Sequence, residues 1–171
     1  MIRTAEYVEA RIIAVLQANL PAKLTTIYVT EMGSDLGAAP LIVEYFAYEP
    51  AEMPQGPSIT VNVASTNALA IKSTTNSPGV YHAFHDTAVG VHVKDTGNEG
   101  IASLKKHMQR IVRGIERVLA IKNPTLPSAG VETVVSIKRD GDLQYLAAGQ
   151  EPGQYVRSGR IPFTVETYEN L

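Results

Sequence analysis

The chain has 171 residues, 44% hydrophobic and 19% charged, with a formal net charge of -2. That length favours one domain with a sizeable core, and that charge excludes a molecule drawn as a whole to polyanions. It contains no cysteine, which excludes disulfides, thiolate nucleophiles and cysteine-ligated zinc or iron–sulfur centres.

The stretch Ile2 to Leu20 has apolar residues at helical spacing (Ile2, Ala5, Ile12, Leu16, Leu20) and predicts an amphipathic helix that Pro21 stops. Glu9 falls inside its apolar stripe. Glu6, Glu9 and Arg11 interrupt the apolar stretch, so no signal peptide is read there, and no segment is expected to span a bilayer. Thr25 to Thr30 (TTIYVT) is β-branched and aromatic and reads as a strand. Gly33 to Pro40 reads as a loop, Leu41 to Tyr48 (LIVEYFAY) as a short buried strand, and Glu49 to Pro57, with three prolines, as another loop.

Ser58 to Ser65 alternates cleanly and predicts a strand, followed by a polar loop from Thr66 to Gly79. Val80 to Lys94 reads as a strand with Val89, Val91 and Val93 on one face and a bulge or turn near Asp86 and Thr87. Asn98 to Ile121 is the clearest helix. Asn98 suits the N-cap and Glu99 the first turn, Ile101, Leu104, Met108, Ile111, Ile115, Val118 and Leu119 form one face, and Asn123 with Pro124 ends it. After a connector to Gly130, Val131 to Arg139 reads as a strand, Asp140 with Gly141 as a hairpin turn, and Leu143 to Leu146 as its return. A Gly/Pro loop (Gly149 to Gly153) leads to a last strand, Arg160 to Tyr168, which Pro162 places at an edge or makes irregular at its start. Consecutive strands between two helices predict a single α+β domain over 1–171. Its sheet is mixed and mainly antiparallel, both helices pack on one face, and long loops fall near 31–57 and 66–79.

The residues offer little visible chemistry. His82, His85 and Asp86 form an H-x-x-H-D cluster that a small metal-dependent hydrolase would use. In a strand, however, positions 82 and 85 face opposite sides, which disfavours a shared metal. Asp140 and Asp142 supply too few oxygens for calcium, and nucleotide-binding and nucleophile-elbow motifs are absent. No catalytic residue, metal or cofactor is therefore expected.

On the long helix, Lys106, Arg110, Arg113 and Arg117 fall in a narrow sector opposite the apolar stripe. They are expected to be solvent-accessible and to meet an acidic neighbour, line a lumen or follow a phosphate backbone, as in a nucleic-acid-binding module. Tyr45, Phe46 and Tyr48 are candidates for a subunit interface. Met1 to Asp95 carries five Lys/Arg against nine Asp/Glu, and Thr96 to Leu171 ten against eight. That polarity suits head-to-tail contact between copies, and ordinary surface scatter equally well.

The layout is a leading amphipathic helix, a β-region with long loops, a central helix, then a hairpin and the last strand RIPFTVETY (Arg160 to Tyr168). It resembles the tail-terminator (tail-completion, neck) proteins of tailed bacteriophages, from which the Glu31 to Pro57 and Thr66 to Gly79 stretches depart. The resemblance implies a non-catalytic virion subunit, assembled in the host cytoplasm into a homo-oligomeric ring, usually a hexamer. Such a ring caps the tail tube protein, meets a head–tail connector or neck protein, and lets DNA pass without sequence specificity and without any membrane.

Overall fold

The computed structural model describes residues 5–33, 35–48, 50, 52, 54–71, 80–94, 100–121, 133–146, 149–151 and 154–170. The cap residues Asn98 and Glu99, the helix stop at Asn123 and Pro124 and the connector to Gly130 lie outside them.

Helix α1 spans Ala5–Thr26. Val8, Ile12, Val15, Leu16, Leu20 and Leu24 follow the 3.6-residue repeat and are buried, and Ile27 and Tyr28 extend the same stripe. Pro21 does not end the helix. It lies inside, and the carbonyl its ring leaves unbonded belongs to Gln17, on the exposed side. The expected strand Thr25 to Thr30 is instead the end of α1 and a π turn, Ile27–Glu31, closed by Met32 N donating to Ile27 O at 3.0 Å. Burial of Ile27 and Tyr28 overrides their β preference. The Thr25 and Thr26 hydroxyls bond back to the carbonyls of Pro21 and Ala22 at 3.1 Å each.

The helical run Ala5–Glu31 is, contrary to expectation, long and apolar enough to cross a membrane by length and composition. Here its apolar stripe packs into the core with α2 and the sheet. Glu9 accounts for the acid within that stripe: its Oε1 accepts from Val63 N at 2.8 Å, beside a register shift in the sheet.

The sheet comprises β1 (Glu44–Phe46), β2 (Ser58–Ile71), β3 (Val80–Lys94), β4 (Thr133–Arg139), β5 (Gln144–Tyr145), β6 (Gly149–Glu151) and β7 (Gln154–Asn170). Its order is β1-β2-β3-β7, with β4, β5 and β6 all pairing β7. β1 is parallel to β2 and the other pairs are antiparallel, which makes the fold α+β with a mixed, mainly antiparallel sheet. Ile59, Val61, Val89, Val91, Val93, Ile161, Phe163 and Val165 form the buried sheet face. Both α1 and α2 (Gly100–Ile121) pack on it and on each other. The helices approach closely at Gly114, where a Cβ would lie 2.9 Å from both Leu20 Cδ1 and Leu24 Cδ2.

Several strand expectations change. The apolar run Leu41 to Tyr48 is not a buried strand. Only Glu44–Phe46 pairs, at the sheet margin, and its residues are exposed or half-buried. β2 continues through Thr66 to Ile71, where a loop was expected. The irregularity expected near Asp86 belongs to the partner strand, as a bulge between Val63 and Ser65 opposite Thr87 and Asp86.

Asp140 and Gly141 do not turn a hairpin. The chain continues along β7: Arg139 pairs Phe163, Asp140 N donates to Pro162 O at 3.0 Å, and Gln144 pairs Arg160. Gly141, at φ 104°, takes up the break between β4 and β5. That break also explains how Pro162 sits in an interior strand and not at an edge: its missing N–H would face the break, where no ladder bond is needed. β6 pairs antiparallel with the start of β7, Glu151 opposite Gln154.

Candidate interaction surfaces

Lys106, Arg110, Arg113 and Arg117 recur once per turn of α2, so one neighbouring segment can meet all four. That segment belongs to the same chain. Glu31 at the end of the π turn, then Met32, Gly33 and Asp35, lie against the basic face of α2. Asp35 takes Lys106 Nζ at 2.9 Å and also binds Arg110. Glu31 binds Arg117 and lies 3.9 Å from Arg113 Nε. Arg110 donates further to the carbonyls of Gly33 and Met32 at 3.1 and 3.0 Å, and its guanidinium carbon lies 4.9 Å from the Tyr28 ring centroid. Tyr28 Oη and His107 Nδ1 share a buried hydrogen bond of 2.8 Å.

The row is therefore not uniformly solvent-accessible. Arg110 is only 4% exposed, while Lys106 and Arg113 keep about half of their side-chain surface open (55% and 52%). Hydrogen bonds from Lys106 first, and from Arg110 second, hold the Asp35 carboxyl down at about 2, against an ordinary 3.8. A carboxylate with a depressed folded-state pKa gives stability that is fully present above the unfolded value and lost as pH falls through the folded one. Asp35→Asn is accordingly expected to be less stable than the wild type at neutral pH, with the gap closing between about pH 4 and pH 2. Urea unfolding at stepped pH checks this, and a gap independent of pH across that window would refute it.

The histidines occupy separate places. His82 pairs with Glu166 on one sheet face. His85, on the other, is buried between the Thr66 and Thr167 hydroxyls at 3.0 Å each, and burial pushes its pKa down. Asp86 holds the Ser65 hydroxyl, and His92 lies between Thr60 and Ser158 at 3.2 and 2.9 Å. Among the described residues, no three His, Asp or Glu side chains are placed to share a metal ion.

Around the end of α1 and the start of β1 the surface is apolar. A cleft of about 380 Å³ is lined by Pro21, Leu24, Ala39, Pro40, Ile42 and Tyr45 among others, and burial raises the Tyr45 phenol pKa. Phe46 packs on Tyr48 with centroids 5.6 Å apart. Tyr48 itself is exposed, as are Val29, Met32, Leu41 and Val43.

Sequence reasoning missed Tyr28, His107, Glu31 and Asp35. Glu31 and Asp35 stand four residues apart, the spacing of the basic row, but nothing local to α2 links the two segments, and Tyr28 and His107 carried no signal at all.

No family model matches the chain, and no curated protein matches it in sequence. Among solved structures, a chain from the "Virion of native gene transfer agent (GTA) particle" is similar at 17% identity and a TM-score of 0.45, over 98% of this chain and 99% of that one. A likeness of that degree says nothing about function.

Proposed function

We propose that this chain is a structural virion subunit: a tail-terminator-like protein that forms a ring, hexameric as the resemblance implies, caps a tail tube and joins it to a head or neck connector. The observation that carries this reading is the exposed apolar surface of Val29, Met32, Leu41, Val43 and Tyr48, beside a single well-packed core. Large apolar side chains left open beside a well-packed core suit contact with another subunit. The resemblance rests on a leading helix, a β-region with long loops, a central helix on the sheet and a last strand, all present here, whereas the closing hairpin it also includes is not formed at Asp140 and Gly141. On this reading the role is non-catalytic, and the particle is the chain's final location after assembly in the host cytoplasm.

The internal ion pairs refine the part played by the basic row. Arg110 and Arg117 shape the subunit, and Lys106 and Arg113 remain for a neighbour or for passing DNA. Since half of that charge is already compensated, the row suits weak contact more than tight phosphate binding. Light scattering after size-exclusion chromatography of the full chain, alone and with purified tail tubes, tests the proposal. The expected result is a closed oligomer, or a monomer that becomes a ring on the tube end. A monomer that ignores tube ends would overturn it, and a monomer that shifts labelled DNA at physiological salt would favour a nucleic-acid module instead.

A further inference from the structure

The sheet face turned away from the two helices carries a hollow. Its residues alternate with the buried Ile59, Val61, Val89 and Ile161. Register sets its rows: Thr60, Gly90, Arg160 and Gln144 stand side by side across β2, β3, β7 and β5, and Asn62, Ala88 and Pro162 form the next row. Gly90 and Ala88 leave the centre of these rows almost empty. A Cβ at Gly90 would run into the Thr60 hydroxyl and lie 3.1 Å from His92 Nε2, so glycine keeps the floor low. Two cavities meet there, both lined by Ala88 and Arg160. The smaller, about 50 Å³, reaches toward Thr60, Asn62 and Leu146. The larger, about 250 Å³, reaches along β7 to Pro162, Gln144, Asp86 and Asp140.

The larger cavity holds charges that do not satisfy one another. Arg160 is the one Lys or Arg lining it, is exposed, and makes no hydrogen bond or ion pair among the described residues. The carboxylates of Asp86 and Asp140 accept from the hydroxyls of Ser65 and Thr164, and neither meets a cation among the described residues. The strands hold these groups apart. Asp140 N bonds to Pro162 O, two residues along β7 from Arg160, and Asp86 lies opposite Thr164, four residues along, so about 7 and 13 Å of strand separate them from Arg160. Lys138, opposite Thr164, and Asp142, between β4 and β5, are exposed but do not line the cavity.

We infer that the larger cavity binds a small zwitterion, a molecule with a carboxylate at one end and an ammonium or guanidinium group at the other. Arg160 takes the carboxylate, with the Gln144 amide beside it. Asp140 and Asp86 take the cation, and the hydrocarbon between the two charges rests on Ala88 and Pro162. A phosphate or other polyanion fits badly, because two carboxylates share the cavity and like charges brought together cost free energy. A plain cation meets the same objection at Arg160. Pockets for drug-sized molecules run to about 300–1,000 Å³, so this one suits a ligand the size of an amino acid.

Titration of the full chain with 6-aminohexanoate, followed by amide chemical shifts, tests the site. Saturable shifts centred on Ala88, Gly90 and Arg160 are expected. Hexanoate and hexylamine, which each carry one of the two charges, should bind roughly fivefold more weakly, the scale of one exposed ion pair. Arg160→Gln should reduce 6-aminohexanoate to the level of hexylamine, and Asp86→Asn with Asp140→Asn should reduce it to that of hexanoate. All three positions are exposed, and thermal melting checks that the variants fold. If one melts early, the three probes on the wild type still decide. Hexanoate binding as tightly as the zwitterion would make this an anion site, and hexylamine doing so a cation site; either overturns the proposal. Wild-type shifts no larger than sodium chloride gives at equal ionic strength, or shifts centred away from this face, overturn it as well.

Discussion

Replacing Ile111 with alanine is expected to lower stability by about 2–5 kcal/mol. Ile111 has no exposed surface and lies in the core among the buried residues of α1, α2 and the sheet. Truncation removes three carbons from water-free packing and leaves a void that two helices and a sheet fill only in part. A domain of this size has about 5–15 kcal/mol in total, and each kcal/mol moves the melting temperature by about 2–4 °C. A drop on the order of 5–20 °C in a calorimetric scan is therefore expected. Arg113→Ala, two residues on but half-exposed and 3.9 Å from its carboxylate, should change stability by less than about 0.5 kcal/mol. Equal effects of the two substitutions would mean that α2 presents a different face to the sheet.

The contrast between α2 and α1 shows what sequence could convey. In α2 the apolar and basic positions segregate, so its face was readable. Of the apolar residues assigned to that face, Leu104, Met108, Ile111, Ile115, Val118 and Leu119 are buried. The alternation in Val89, Val91 and Val93 fixed the core side of β3 in the same way. Local signals failed where distant residues decide. Pro21 is a helix breaker only if the carbonyl four residues back needs a protein partner, and that carbonyl belongs to Gln17, an exposed residue. TTIYVT favours a strand in isolation, but Ile27 and Tyr28 continue a stripe already committed to the core. Asp-Gly is a hairpin signal only when the flanking strands pair with each other, and here β7 competes for both. The basic row was legible as a row. That its acidic partner lies about 75 residues upstream, in the same chain, was not, because nothing local to α2 encodes the path of the loop after α1.

That loop supplies the last expectation. Arg110→Met, which keeps much of the side-chain volume and removes the charge, is expected to destabilise by about 2–3 kcal/mol, the scale of hydrogen bonds to charged groups. The guanidinium satisfies the carbonyls of Met32 and Gly33 and the Asp35 carboxylate, and covers the Tyr28 ring. Methionine can replace the cover but none of the bonds. Asp35, which is partly open, can rehydrate and keeps Lys106, so the loss should stay below the about 3–5 kcal/mol expected for breaking a fully buried pair. The damage should also be local. Amide hydrogen exchange is expected to rise in residues 28–36, while Ile111 and Ile115 keep their protection. Arg110→Lys should rescue little, because an ammonium lacks the planar fork that reaches two carbonyls and a carboxylate together. Wild-type stability in Arg110→Met would show that the guanidinium bonds contribute nothing to the fold, full rescue by lysine would show that charge alone suffices, and either result would make the shaping role assigned to Arg110 wrong.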